Sequence, residues 1–389
     1  MKGILKLGLL LLVGIPLVMI SCSDDDDMIT PMPEPDPGPD TTIVDPDTMV
    51  VDPDTMMIEV NIESLLINQI DELIIPSSEK YQLEMVDFLS SVEAFVNNPD
   101  AATLTSVRGA YLEANLAYQA IAVHDYYANQ NVNLVSTSNL YPVSVSLLDT
   151  LIENETYNFN VTAQQRANGF PAIDYLLYGV EDIVTTFVDE PKRGAFFLAL
   201  VTSMKDRADS LVDRWTGNLR GNFINNGGVE PGSAVSVQLN GSVLYYEEHI
   251  RGNKVGIPIG RLGPNDTPFD PDPTKIEGLY QSLLEESGAI SLALLKASVE
   301  EMEDIYLGTT STGEDGIGYE ELLINIEHED IDMDIKAQFQ DIYDQIANRD
   351  GISGDEDLYN SIQNLVTLFK SDLFVVLNVQ DADGGTDGD

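Results

Sequence analysis

The chain has 389 residues, with 66 acidic against 19 basic side chains and a formal net charge of -47. This length suits one large domain or two ordinary ones, and an apolar content of 43% is normal for a globular protein. A protein with this negative charge repels nucleic acid and anionic lipid and attracts cations. We therefore predict no nucleic-acid partner. The single cysteine excludes a disulfide framework, so the fold must be stabilised by packing.

The first 21 residues have the pattern of a secretory signal peptide. Two lysines precede an apolar run over residues 7–20, and a serine separates that run from Cys22. The run is too short for a comfortable membrane span. Met19-Ile20-Ser21-Cys22 resembles a bacterial lipobox, so we predict that residues 1–21 are removed and that Cys22 is acylated. The alternative is an ordinary signal peptide with an incidental cysteine.

Acylation of Cys22 would anchor the protein in the outer membrane, because more than one acyl chain suffices for stable attachment. Ser23 and the aspartates 24–27 resemble an export signal that places lipoproteins on the surface of some Gram-negative bacteria. We therefore predict exposure at the cell surface, with a periplasm-facing lipoprotein as the alternative. Residues 22–57 are rich in proline and aspartate and contain no basic residue, so they read as a disordered acidic stalk.

From residue 58 onward the apolar residues recur at helical spacing, and alternating strand patterns are scarce. Ser77 and Ser78 are predicted to cap one helix, and Pro99-Asp100 to open the next. Further helices are predicted over residues 190–216, 233–248, 274–306, 319–347 and 356–379. Long helices with short connections favour antiparallel bundles. The predicted fold class is therefore all-α.

Glycine and proline clusters suggest where the helical body divides. Gly227-Gly228, followed by a Pro-Gly pair, separates residues 58–226 from residues 229–380. We predict one helical lobe on each side of this point. Residues 381–389 form a short acidic tail, for which disorder is the default expectation at a terminus.

The common hydrolase signatures are absent from the sequence. There is no His-Glu-x-x-His zinc helix, no Gly-x-Ser-x-Gly elbow and no Walker loop. The only cysteine is assigned to the anchor, so thiol catalysis is not available. The histidines, His124, His249 and His328, are too far apart along the chain to form a ligand pair on one helix, and structural or surface roles explain them better.

The most specific string runs from Arg166 to Gly179, with the sequence RANGFPAIDYLLYG. It resembles the signature of the imelysin family, bacterial surface and periplasmic proteins first described as metallopeptidases and later linked to iron uptake. That signature reads Gly-x-His-x-x-Glu and continues into an apolar segment that ends in an aromatic residue and glycine. Gly169, the apolar segment with Tyr175, and Tyr178-Gly179 match it.

Further segments carry the same resemblance over roughly residues 60–389. Tyr141-Pro142 lies where the family has an aromatic-proline pair, and Lys254, Pro258 and Gly260 match its Lys-x-x-x-Pro-x-Gly segment. The resemblance implies an all-α fold of two related antiparallel four-helix bundles. It also implies a functional region in the groove between the bundles.

The chain departs from the signature at two positions. Pro171 stands at the histidine position and offers no ligand atom, and Asp174 stands at the glutamate position. Because proline fits the first helical position, the helix should begin at Pro171 and place Asp174 in its first turn, where the helix dipole favours a carboxylate. The alternative is a remnant cation site in which Asp174 is joined by Glu247 and Glu248, an oxygen-rich set that suits hard cations.

These observations leave several functions open. The first is a non-enzymatic surface lipoprotein of an iron or metal acquisition system, which binds a cation, a chelate or a partner in the groove. Its partners would be the outer membrane and an energy-coupled outer-membrane receptor. The second is an active imelysin-type metallopeptidase, although the motif lacks its imidazole. The third is a structural or adhesive surface module. The resemblance favours the first, with iron or another divalent cation as the candidate cofactor.

Overall fold

The structure is a computed structural model that describes residues 62–262, 270–285, 289–352 and 356–382. The predicted signal peptide, Cys22, the stalk and most of the acidic tail lie outside the described residues. Within the described ranges the regular structure is helical and no strand is present, which confirms the all-α fold class. None of the helices described has the length and apolar character needed to cross a bilayer.

The α-helices are numbered in chain order: α1 (Ile75–Asn97), α2 (Ala101–Ala122), α3 (Ala128–Asn131), α4 (Leu134–Ser138), α5 (Val145–Asn154), α6 (Gly169–Tyr178), α7 (Ile183–Asp189), α8 (Pro191–Arg214), α9 (Arg220–Asn225), α10 (Ala234–Tyr245), α11 (Leu279–Glu285), α12 (Ala289–Leu307), α13 (Tyr319–Asn325), α14 (Glu329–Ala347), α15 (Asp357–Thr367) and α16 (Phe374–Val376). The π-helical segments are Gln69–Ile74, Trp215–Leu219, Tyr246–Gly256 and Leu368–Leu373, and the 3-10 segments are Thr162–Ala167 and Pro273–Lys275.

The three longest helices form the centre of the first half of the chain. Helix α1 packs against α2 on one side and against α8 on another. Phe88 of α1 fills the junction, with its ring centroid 6.2 Å from that of Tyr111 and 6.1 Å from that of Phe197. All three rings are buried, and burying such large apolar side chains is the main source of stability in a chain without disulfides.

The second half packs around α12, α14 and α15. Tyr306, Phe339 and Phe369 form a buried ring cluster with centroid separations of 6.2 to 6.3 Å. Helix α12 also packs against α2, so the two halves of the chain share a contact surface. The predicted division at Gly227-Gly228 falls in the loop between α9 and α10. The two-lobe, four-helix description of each half stays a prediction.

The first long helix begins earlier than predicted. Residues 62–68 are already helical, and the chain continues through the π-helical segment Gln69–Ile74 directly into α1. The predicted cap at Ser77 and Ser78 is therefore wrong. The Ser78 hydroxyl instead donates to the carbonyl four residues earlier, at 2.7 Å, as serine commonly does inside a helix.

Pro76 lies near the start of α1 without ending the helix. Proline has no N–H, so it cannot donate to the carbonyl of Glu72, four residues earlier. The backbone N–H of Ser311 donates to that carbonyl instead, at 2.9 Å. This hydrogen bond from the second half of the chain thus satisfies the carbonyl that Pro76 leaves free, and the helix continues past the proline.

Two helices predicted as continuous are broken. Gly278 has a φ of +67°, in the left-handed region, and it separates the Pro273–Lys275 turn from α11. The predicted helix over residues 274–306 is therefore α11 and α12 with a preceding loop. The predicted helix over 319–347 is α13 and α14, which are separated at Glu327, where φ is +65°.

Other helix ends are confirmed. Asp100 caps α2, because its carboxylate accepts the backbone N–H groups of Ala102 and Thr103 at 2.9 Å each. Helix α8 begins at Pro191, as its sequence predicts, since proline suits the first helical turn. These ends depend on residues within one turn of each other.

Candidate functional site

The signature segment forms α6, a helix that is buried along its whole length. Gly169 at its start has a φ of +68°, which L-residues with a side chain rarely adopt. A Cβ on Gly169 would lie 2.1 Å from the carbonyl oxygen of Ser138, at the end of α4. Glycine is therefore required here, because it allows α6 to start in contact with the α4 backbone.

The helix begins two residues before Pro171, so the predicted start at Pro171 is wrong. Pro171 is the third residue of α6, and Asp174 lies beyond the first turn of that helix. The carboxylate of Asp174 instead reaches the start of α11, where its two oxygens accept the backbone N–H groups of Tyr280 at 2.8 Å and Gln281 at 3.0 Å. Asp174 thus caps a different helix from the one that carries it.

The Asp174 carboxylate is only 2% exposed. Burial raises its pKa to about 7, and the nearby charge of Glu277 adds to this, whereas the two backbone N–H groups lower it. Each oxygen of the carboxylate thus accepts one backbone N–H group in the buried site. The structural role of Asp174 stays a prediction, and the backbone N–H groups that its carboxylate accepts belong to α11 and not to α6.

Lys254, the predicted site residue of the Lys-x-x-x-Pro-x-Gly segment, lies in a buried polar network. Its ammonium group forms an ion pair with Glu277 and donates to Oε1 of Gln119 at 2.7 Å. The second oxygen of Glu277 accepts from the side-chain amides of Gln119 at 2.8 Å and Asn139 at 2.6 Å. Ser298 also donates to Gln119 Oε1, at 3.1 Å. Both charges of the pair are therefore hydrogen-bonded inside the protein.

This network joins both halves of the chain. Gln119 comes from α2, Lys254 from the π-helical segment, Glu277 from the turn before α11, and Ser298 from α12. Burial lowers the pKa of the Lys254 ammonium, while its pairing with Glu277 raises it. Because the pair is buried and surrounded by amides, we assign it a structural and positioning role rather than one in proton transfer.

The π-helical segment Tyr246–Gly256 extends α10 and presents several of the predicted site residues. Its last turn is closed by the N–H of Ile257, which donates to the carbonyl of Gly252, five residues earlier, at 2.8 Å. Long π-helical runs are rare, and π segments are frequent at functional sites. The charged and imidazole side chains that this segment carries are Glu247, Glu248, His249, Arg251 and Lys254.

The structure does not bring the predicted metal set of Asp174, Glu247 and Glu248 together. Asp174 caps α11, and Glu247 is buried against Lys370, with its Oε2 2.6 Å from Nζ. Glu248 is exposed, with its Oε2 4.0 Å from Nε2 of His249. Each carboxylate is thus turned to a different neighbour, because the π-helical segment places residues 247 and 248 on different faces.

One group of three carboxylates among the described residues does have metal-sized spacing: Asp315, Glu320 and Glu321. Glu321 accepts the backbone N–H of Gly318 at 2.6 Å as a helix cap, and Glu320 forms an ion pair with Lys336. These contacts explain two of the three groups without a metal. We therefore assign Glu321 to the capping of α13 and Glu320 to the ion pair with Lys336.

A cavity of about 460 Å³ lies beside the buried network. Two predicted residues, Tyr141 and Arg166, line it, together with Asp125, His249 and Asn253 and with further side chains from residues 130–140 and Ile257. The lining comes from residues 125–166 and from residues 249–257, so both halves of the chain contribute. Asn139, which bonds Glu277, also lines it and links the cavity to the buried ion pair.

The electrostatics of the cavity differ from one side chain to the next. Burial raises the pKa of the Asp125 carboxyl to about 6, and the charge of Glu248 adds to this. Burial lowers the pKa of the His249 imidazole to about 4, and the charge of Lys254 adds to this. At neutral pH the lining of the cavity therefore contains a carboxylate and a neutral imidazole. His249 is also packed on Tyr245, with ring centroids 4.7 Å apart.

The other predicted residues lie away from this cavity. The Tyr175 ring contacts that of Tyr280, with centroids 5.1 Å apart, and the Tyr178 ring is covered by the guanidinium of Arg108 at 4.3 Å. Both tyrosines therefore fix the position of α6. Pro258 and Gly260 are buried, and Gly260 has a φ of +78°, so they shape the turn after the π-helical segment.

Sequence reasoning did not find Glu277, Gln119, Asn139 or Asp125 as site residues. Glu277 is the partner that a buried Lys254 requires, because an unpaired buried charge is very unfavourable. The need of a buried lysine for an acidic partner could be predicted from the sequence, but the sequence does not show which acidic residue is that partner. Asp125 follows the end of α2 and carries no local motif.

Comparisons with known proteins agree with this fold. The family model described as Imelysin matches residues 74–368. Among solved structures, the chain is similar to an imelysin-like protein from Psychrobacter arcticum, with a TM-score of 0.66 and 14% identity, over 83% of this chain and 97% of that one. It is also similar to a protein from Parabacteroides distasonis named as an iron-regulated protein A precursor, with a TM-score of 0.66 and 14% identity, over 82% and 95% of the two chains. No match was found among curated proteins.

Proposed function

Because this chain belongs to the imelysin family, as the match over residues 74–368 shows, we propose that it is a surface-anchored lipoprotein that acts in iron or metal acquisition and does not cleave peptides. Its ligand, a cation or a chelate, would bind in the cavity lined by Asp125, Tyr141, Arg166 and His249. An energy-coupled outer-membrane receptor would be its partner at the membrane.

The proposal that this protein does not cleave peptides rests on the residues that stand in its signature motif. A metallopeptidase needs a bound metal, an activated water and a general base. Pro171 offers no ligand atom where the family has histidine, and both oxygens of Asp174 are occupied by backbone N–H groups. The buried Asp174 therefore caps α11. The motif does not offer the two metal ligands that its histidine and glutamate positions would supply.

Three observations support the role in iron or metal acquisition. A protein with the same fold is named as an iron-regulated protein A precursor. The composition is strongly acidic, which attracts cations to the surface. The cavity also contains a carboxylate and a neutral imidazole, and both are ligand types for iron.

We expect cells without this protein to grow more slowly than wild type when iron is limited by a chelator, and to recover when iron is restored. In parallel, purified protein loaded with ferric citrate should retain iron after gel filtration, measured by elemental analysis, and should leave a peptide library intact. Peptide cleavage that a chelator abolishes would show an active metallopeptidase instead. Normal growth together with no retained metal would point to a structural or adhesive module.

The anchor is tested separately with Cys22→Ser. We expect the wild-type protein in the outer-membrane fraction, labelled by radioactive palmitate and cleaved when protease is added to intact cells. The variant should lose the label and move to a soluble fraction, because a single serine cannot carry the acyl chains. If the variant stays in the membrane fraction, the anchoring assignment is wrong. If the wild type is protected from protease, it faces the periplasm.

A further inference from the structure

The cavity beside the buried network contains a carboxylate without a partner. Asp125 is half-buried, and its carboxylate makes no hydrogen bond or ion pair with any residue that the structure describes. Only its backbone carbonyl is engaged, as acceptor from Gln130 at 2.9 Å. The negative charge of Glu248 acts on it and raises its pKa further. This end of the cavity is therefore suited to a cationic group.

The same cavity has a guanidinium without an acidic partner. Arg166 is exposed, and in the described part of the chain its guanidinium donates only to the carbonyl of Pro142, at 3.3 Å. Four of its five N–H donors thus remain for another group. A guanidinium is the side chain best matched to a carboxylate, which it can bind through two parallel hydrogen bonds.

The rest of the lining is uncharged and mixes polar side chains with the apolar side chains of Val135, Leu140 and Ile257. His249 is neutral because burial disfavours its charged form, and its Nδ1 lies 3.0 Å from Nδ2 of Asn253. The side-chain amide of Asn133 also lines the cavity. Such a lining offers both polar and apolar contacts to a small peptide.

We propose that this cavity binds a small zwitterion of the amino-acid or short-peptide type, with its ammonium group at Asp125 and its carboxylate at Arg166. A polyamine would leave Arg166 unmatched, and a dianion would be repelled by Asp125 and Glu248. A neutral sugar would leave both charges unmatched. The volume of about 460 Å³ lies within the range of about 300–1,000 Å³ that small-molecule sites occupy.

This inference deepens the proposed function and rests on its assignment of the cavity as the binding site. It requires the cavity to bind a ligand with two charged ends, whether or not that ligand carries iron. Peptide binding without retained iron would keep the inference and remove the iron role. Retained iron without peptide binding would do the reverse.

The test is calorimetric titration of the purified full-length protein with trialanine and its end-blocked forms. We expect trialanine to bind, and its N-acetylated and C-amidated forms to bind about tenfold more weakly or worse, because each has lost one charged hydrogen-bonded group. Asp125→Asn should weaken trialanine binding by a similar factor without further weakening the N-acetylated form. Arg166→Gln should do the same with respect to the C-amidated form.

Asp189→Asn is the matched control, since it removes the same charge at an exposed position outside the cavity. It should leave every titration unchanged. Circular dichroism melting of each variant checks that the fold is retained, and Asp125→Asn should melt no lower than wild type because Asp125 makes no side-chain hydrogen bond. Absence of trialanine binding, or equal binding of free and blocked peptides, would overturn the inference.

Discussion

Gly169→Ala is expected to lower the free energy of unfolding by at least about 3 kcal/mol. A side chain at φ +68° is strained, and the new Cβ would lie 2.1 Å from the carbonyl oxygen of Ser138, which belongs to the backbone. Helix α6 must then move away from α4, and the Asp174 carboxylate moves with it. Urea unfolding followed by circular dichroism measures the change, and part of the loss should appear as weaker protection of the α11 amides in hydrogen exchange.

Gly109→Ala provides the control for this substitution. Gly109 lies on the exposed face of α2, and a Cβ there would meet nothing within 4 Å. Alanine is favoured over glycine in a helix, so this variant should be more stable than wild type by about 0.5–1 kcal/mol. Equal effects of the two substitutions would mean that α6 does not depend on the glycine at its start.

Features set by neighbouring residues could be predicted from the sequence. The cap at Asp100 and the start of α8 at Pro191 each depend on contacts within one helical turn. The same local reasoning failed at Ser78, because α1 is the continuation of an earlier helix. Helical continuity there depends on Ser311, which satisfies the carbonyl that Pro76 leaves free and lies more than 200 residues away.

The candidate site was predictable only in part for the same reason. The resemblance identified Lys254 and the α6 segment but not Glu277. Glu277 follows Lys254 in the chain after a proline-rich stretch and forms an ion pair with it. His124 was interpreted as structural, and the structure buries it between Glu301, 2.6 Å from its Nε2, and the Tyr126 hydroxyl, 2.9 Å from its Nδ1. Glu277 is 23 residues from Lys254 and Glu301 is 177 residues from His124, so only the packed structure identifies these partners.

The second large effect on the free energy of unfolding is expected from substitutions in the Lys254–Glu277 ion pair. Lys254→Met should lower the free energy of unfolding by about 3–5 kcal/mol, because it leaves the Glu277 carboxylate buried without its counter-charge. Glu277→Gln should be similarly damaging, since it leaves the Lys254 ammonium buried. The double variant contains neither charge. It should lose much less than the sum of the two single losses, and urea unfolding of all four proteins measures the coupling.

Lys296 and Glu300 give the matched comparison, as an exposed ion pair one turn apart on α12. The same substitutions there, Lys296→Met and Glu300→Gln, should show a coupling of no more than about 0.5 kcal/mol, because solvent screens the charges. A coupling at Lys254–Glu277 as small as this would mean that water reaches the pair. The network could not then hold the π-helical segment and its His249 beside the cavity.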